Sequence, residues 1–191
     1  MMNTFARRPA PRQRARGLTL VELIMAVLMV GVLVALVTPS MREMIASQRV
    51  RSINAELVTD LQFVRSEAVR MNRPVLIAFE ANANQSCYTL YVRGVIGECS
   101  CSRGAGNACR FGPTEIKTVS VPRRQDITLA AVSSVNTANI AFEPPQGLPS
   151  YPSFTVDVVS SVHGKIRTTL NALGRMMVCS PDGSISGAPL C

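Results

Sequence analysis

Side chains able to do chemistry are few here, and their spacing favours cross-linking and charge pairing over catalysis. The chain holds one His (His163), two Lys (Lys117 and Lys165) and no Trp, which excludes a His-rich metal site and a His-pair acid/base site. Nucleophile-elbow, HExxH and phosphate-loop patterns are absent. No catalytic residue, cofactor or metal is expected. Four of the six cysteines (Cys87, Cys99, Cys101 and Cys109) fall in one loop-rich region. The alternative of a four-thiolate zinc site suffers because Cys99-Ser-Cys101 lacks the longer spacer that tetrahedral zinc favours. Disulfides are expected there, with the pairing among the four open. Cys179 and Cys191 enclose Ser-Pro-Asp-Gly-Ser-Ile-Ser-Gly-Ala-Pro-Leu, a segment with little core of its own. A bond between them is expected as a staple contributing about 2–4 kcal/mol. One carboxylate, Glu22, stands inside an otherwise apolar run. In lipid it would cost about 2.5 kcal/mol or more at the bilayer centre and less at the edge, so it needs a partner.

Cystines form in oxidising compartments, so the chain needs a route out of the cytoplasm. The first 17 residues supply Arg7, Arg8, Arg12, Arg14 and Arg16 with no acid, and much of the net charge of +8 sits there. Residues 18–38 then form a run apolar apart from Thr19, Glu22 and Thr38. Twenty such residues span about 30 Å, the thickness of a bilayer core. Arginines ahead of the run keep the amino terminus cytoplasmic and send the remainder across the membrane. An ordinary secretory signal peptide fits worse, because the run is long, contains an acid and lacks a small-x-small cleavage site.

Residues 39–73 continue as an amphipathic helix. Val50, Ile53, Leu57, Leu61, Val64, Ala68 and Met71 step by three or four, which gives one buried stripe. Arg49, Arg51, Glu56, Asp60, Arg65, Glu67 and Arg70 are expected mostly on the other faces, with Asn72-Arg73-Pro74 ending the helix. With the apolar run this makes one nearly continuous helix of about 55 residues, roughly 80 Å long. Its outer half must pack on the carboxyl-terminal domain, and its inner half must be buried by lipid or sister helices. From residue 74 the period changes to alternation: 74–80, 88–93, 115–121, 126–131, 139–143, 154–160, 165–170 and 175–180 read as short strands between Gly, Pro, Asn and Ser. The proline-rich loop 142–149 is expected to face a neighbouring subunit. The expected fold is α+β, a long amino-terminal helix on an antiparallel, sandwich-like β head spanning 74–191. An apolar content of 47% excludes a disordered chain.

Arg16-Gly-Leu-Thr-Leu-Val-Glu22-Leu-Ile, followed by the apolar run and Pro39, resembles the class III signal of type IV pilins and type II secretion pseudopilins. That resemblance implies cleavage after Gly17 by a prepilin peptidase and N-methylation of Leu18, where most family members carry Phe. It implies that Glu22 neutralises the terminal amine of a neighbouring subunit during assembly, and that Pro39 marks a bend or a stretch that unwinds on packing. Leu57-Val-Thr-Asp-Leu-Gln-Phe-Val-Arg-Ser-Glu-Ala resembles the stretch marking the GspH/FimT/FimU branch. The implied place is the inner membrane, single-pass, with a periplasmic head joining a pilus or pseudopilus. The implied partners are the peptidase, other minor pilins or pseudopilins, the major pilin and lipid. The tail Gly174-Arg175-Met176-Met177-Val178-Cys179 is similar to that of FimT-type minor pilins that capture DNA, with Met177 in place of the second arginine. Lys165, Arg167 and Arg175, with Arg123 and Arg124, could make a small phosphate-binding patch. Scattered surface cations are the favoured reading. Three functions thus stand: a type IV minor pilin, a type II minor pseudopilin, and a DNA-binding minor pilin.

Overall fold

A computed structural model describes residue 17, residues 19–123, 126–162 and 164–191, with the side chains of 37–40 and 42 also left aside. The expectations for residues 1–16, Leu18, Arg124 and the Pro39 side chain lie outside that set. The chain divides into two compact units, 1–41 and 42–191, with the boundary inside a single helix.

That helix, α1, runs Leu20–Met71 without interruption, and its backbone is helical at Pro39. It ends where the X-Pro restriction requires: Asn72 adopts φ 49°, the left-handed turn that closes many helices. In the 1–41 unit every described α1 side chain, Leu20 to Leu36, is exposed. Among the described residues no helix is long and apolar enough to cross a membrane. The run expected to span, 18–38, has Leu18 and the side chains of 37 and 38 outside that set.

In the 42–191 unit α1 buries Val50, Leu57, Leu61, Val64 and Ala68, with Ile53 and Met71 packed at the margin. The strands that cover this stripe are β1 (Val75–Ala81), β2 (Gln85–Val92), β3 (Glu98–Cys99), β4 (Cys109–Arg110), β5 (Thr114–Pro122), β6 (Ile127–Ser133), β7 (Asn139–Glu143), β8 (Leu148–Pro149), β9 (Ser153–Ser160), β10 (Gly164–Asn171) and β11 (Met176–Cys179). One sheet has the order β5-β2-β1-β7-β8, a second β11-β10-β9-β6, and β3 pairs with β4. Every ladder between these strands is antiparallel. The two larger sheets share one core with the stripe. Phe79 of β1 sits 5.5 Å from Tyr88 and 5.8 Å from Phe154 between ring centres, so one aromatic ties the two sheets together. Strands β9 and β10 alternate strictly, burying Phe154, Val156 and Val158 against Ile166, Thr168 and Leu170.

The eight expected strands are all present, with bounds shifted by up to three residues. The two-residue strands β3, β4 and β8 have no alternation to betray them. One expectation needs correction. Asp60 is buried, not outward, because Tyr88 and Lys117 occupy its oxygens. The loop 142–149 rests Gly147 beside Arg65 and Val69 of α1 and leaves Pro145 and Gln146 exposed.

Candidate functional site

The start of α1 is built by a Thr-x-x-Glu cap. The Thr19 carbonyl accepts from the Leu23 amide at 3.1 Å, and Thr19 Oγ1 accepts from the Glu22 amide at 3.2 Å. Thr19 therefore satisfies donors that the first turn would otherwise leave free, and Glu22 stands in that turn, where the helix dipole favours an anion. The Glu22 carboxylate is exposed and has no cation beside it among the described residues. A Cβ at Gly17 would meet no atom within 4 Å, so the fold itself makes no demand for glycine there. Pro39 is part of α1's backbone, and Leu18 lies outside the described residues.

In the head, α1 carries two polar groups into the core. Asn54 Oδ1 accepts from Thr168 Oγ1 at 2.8 Å. Asp60, almost fully buried, accepts from the Tyr88 hydroxyl at 2.8 Å and from Lys117 Nζ at 2.8 and 2.9 Å. Glu56 takes a further bond from Lys117 at 2.9 Å. A carboxylate can leave water when its oxygens are occupied in this way. Burial works against the Lys117 charge, but its bonds to Asp60 and Glu56 outweigh that and hold its pKa above the ordinary lysine value. Burial, reinforced by Asp60, pushes the Tyr88 phenol upward. The cluster clamps edge strand β5 and its neighbour β2 onto the helix. Spacing could have revealed it: Asp60 lies three residues after Leu57 and four before Val64, on the same face.

The cysteines resolve into Cys87–Cys101, Cys99–Cys109 and Cys179–Cys191, with sulfur separations of 2.04, 1.95 and 2.02 Å. The first joins β2 to a one-turn 3-10 helix (Cys101–Arg103), and the second links β3 to β4. Glu80 lies near the Cys87 and Cys101 sulfurs, but those sulfurs are bonded to each other and hold no free thiolate. Glu80 instead accepts from Ser100 Oγ at 2.7 Å. Glu115 holds the same loop by accepting from the Gly106 and Ala108 amides at 2.9 and 3.0 Å. The third bond closes the tail over α1. Ile185 is buried there, and Arg51 Nη2 donates to Ser186 Oγ at 3.2 Å.

Of the cations weighed for phosphate, Lys165 and Arg167 share one face of β10, Arg123 lines a groove with Val159, the residue paired with Lys165, and Arg175 stands apart. Arg167 makes two 2.7 Å bonds to Asp157 on β9, a bidentate pair that raises its pKa and occupies its fork. Lys165 lies near the start of β10, whereas Arg175 sits beyond its far end, its carbonyl accepting from the Asn171 amide at 3.1 Å. Six residues of strand, about 20 Å, separate them. Met177 presents an exposed thioether. Arg123 is exposed at the end of β5, its amide bonded to the Asn84 carbonyl at 3.0 Å.

Comparison with known proteins agrees with this architecture. The family described as "Type II transport protein GspH" matches residues 55–183, well over half of the chain. The crystal structure of the Pseudomonas aeruginosa (strain PAO1) type IV minor pilin FimU superposes with a TM-score of 0.51 at 18% identity, covering 74% of this chain and 93% of that one. At that identity the likeness establishes a common fold. No curated protein gives a significant match. A helix carrying a β head of this topology, over a sequence span that fits the family from the middle of α1 to the tail, leads to one conclusion: the chain belongs to the family of type II transport protein GspH and has the fold seen in a type IV minor pilin.

Proposed function

We propose that this protein is a minor pilin, made as a precursor, cut by prepilin peptidase between Gly17 and Leu18 and methylated on the new amine. In this reading α1's inner half holds it in the inner membrane, single-pass, with the head in the periplasm, until it joins or primes a type IV pilus near the tip. The observation that carries the reading is the two-natured helix: from Leu20 to Leu36 it offers apolar side chains outward, and from Val50 to Ala68 it buries a stripe in its own head. Exposed apolar side chains at 48–76% exposure over such a run require lipid or other helices to cover them. Glu22 is expensive in lipid and lacks a cation of its own chain among the described residues, so a neighbour's terminal amine is a suitable partner. Assembly then proceeds by docking of apolar helices, and the heads choose the partners: other minor pilins and the major pilin.

Amino-terminal analysis of the full-length protein taken from membranes tests this. An N-methylated Leu18 is expected; a chain still beginning at Met1 in assembled filaments would overturn it. A second reading, a minor pseudopilin of type II secretion, is favoured by the description of the matching family. Deleting the gene separates the two, because loss of surface pili with normal protein secretion supports the first and the converse supports the second.

A further inference from the structure

Next to the cysteine-linked loop the head exposes three large apolar side chains on a stiff support. Val95 is 102% exposed, Ile96 70% and Phe111 78%. They stand on two adjoining segments, 93–97 and 110–113. A Cβ added at Gly94 would meet the Gly112 carbonyl carbon at 2.5 Å, and one at Gly112 would meet the Ile96 carbonyl oxygen at 2.8 Å, so the backbones touch. The Cys99–Cys109 bond and the Glu98–Arg110 register of β3 and β4 fasten the base of the pair. Phe111 has φ 63°, a conformation that local preference would give to Gly or Asn. An aromatic there gains nothing for the fold, because its ring is in solvent.

Arginines edge this knob. Arg73 Nη2 donates to the Arg93 carbonyl at 3.0 Å, Arg93 lies 3.6 Å from Glu143, and Arg103 pairs with Glu98 at 3.3 Å. Arg73 and Arg110 have no carboxylate among the described residues. The rim is therefore net positive. The knob lies at the Met71 end of α1, where the Arg93 amide donates to the Pro74 carbonyl at 3.1 Å. About 45 Å of helix separates that end from residue 42, which disfavours the bilayer as the surface it meets.

We infer that Val95, Ile96 and Phe111, ringed by Arg73, Arg93 and Arg110, form a docking knob for the head of a different filament subunit, one presenting an apolar recess edged with Asp or Glu. A preformed apolar projection loses little conformational freedom on binding, and the arginine rim selects an acidic edge and rejects a basic one. A second copy of this chain is not the expected partner, because among the described residues the head's grooves are edged by Arg51, by Arg65 and Arg70, and by Arg123 beside Asp126. The inference rests on the filament-subunit reading proposed for the whole chain.

The test places a benzophenone amino acid at Phe111, and separately at Val95, in the full-length chain, produced in cells that build its own pilus or secretion assembly and then irradiated. The expected product is an adduct with another pilin-family subunit, its cross-linked peptide containing Asp or Glu. Its yield should be at least fivefold above that from the same probe at Val162, an exposed apolar position on the β9–β10 turn. Arg110→Glu should lower the yield at least fivefold and Arg110→Lys should keep it. Equal yield from Val162, no response to Arg110→Glu, an adduct with phospholipid or with a protein outside the pilin family, or no adduct from a chain recovered in filaments would each overturn the knob alone. Absence of the chain from filament and pseudopilus fractions would overturn the subunit reading, and the knob with it.

Discussion

Removing the Asp60 carboxylate should destabilise the head more than any exposed charge does. In Asp60→Ala the Tyr88 hydroxyl, buried with its ring, loses its acceptor, which costs about 1–3 kcal/mol. Lys117 keeps Glu56 and is 39% exposed, so its lost pairing adds only about 0.5–1 kcal/mol after solvent screening. The expected loss is about 1.5–4 kcal/mol. Tyr88→Phe removes the orphaned donor and leaves Asp60 its lysine, so it should cost about 1 kcal/mol. In Asp60→Leu/Tyr88→Phe both polar groups are gone, and replacing a buried pair by apolar groups is often near neutral. The double variant should therefore be more stable than the sum of the Asp60→Leu and Tyr88→Phe changes by at least about 1 kcal/mol. Urea unfolding of the full chain in detergent, followed by circular dichroism, measures all of these. An Asp60→Ala midpoint matching the parent, or strict additivity in the cycle, would refute the clamp.

The same cluster sets an alkaline limit. Lys117 has a raised pKa in the folded state, so its contribution is fully present below the unfolded value near 10.4 and is lost as pH rises through the folded one. The upward shift of Tyr88 acts in the same direction, and Tyr88→Phe/Lys117→Met should flatten the fall in stability above about pH 10 seen by the same unfolding assay. Gly17→Arg should leave an unprocessed precursor on immunoblots of membranes while the head folds normally, because nothing packs on that residue; normal cleavage would remove the assigned site. Glu22→Ala should be cleaved as usual yet enter sheared filaments at least tenfold less often, and undiminished entry would remove the pairing role. Cys191→Ser should cost about 2–4 kcal/mol of tail stability, read as faster amide exchange around Ile185; unchanged exchange there would show that the tail is held without its staple.

Legibility in the sequence tracks the physics of each element. The helix stripe and the eight longer strands carry a period over enough residues to stand out. Strands β3 and β4 are one ladder step each, positioned by Cys99–Cys109 rather than by alternating side chains. The pairing among Cys87, Cys99, Cys101 and Cys109 depends on tertiary proximity and has no local signal, whereas Cys179 and Cys191 stand apart from those four in the sequence. Asp60 reads as outward by its charge, although its place between Leu57 and Val64 points inward. For the small cation patch, proximity in sequence to β10 and β11 conceals the Asp157 partner of Arg167 and the length of strand between Lys165 and Arg175. The knob at Val95, Ile96 and Phe111 has no periodicity, and only the packed backbones of 93–97 and 110–113 make it a single object.

The contacts of α1 reach far along the polypeptide. Asn54 meets Thr168 and Arg51 meets Ser186, separations of 114 and 135 residues. Such high contact order slows closure. As the chain is made, the stripe from Val50 to Ala68 emerges early, while its lid of β9–β11 and the tail arrives last, leaving an oily surface uncovered in the interval. The amino-terminal anchor proposed above would confine such chains to one plane and raise their local concentration, so prompt docking of β9–β11 would matter more for them than for freely diffusing chains.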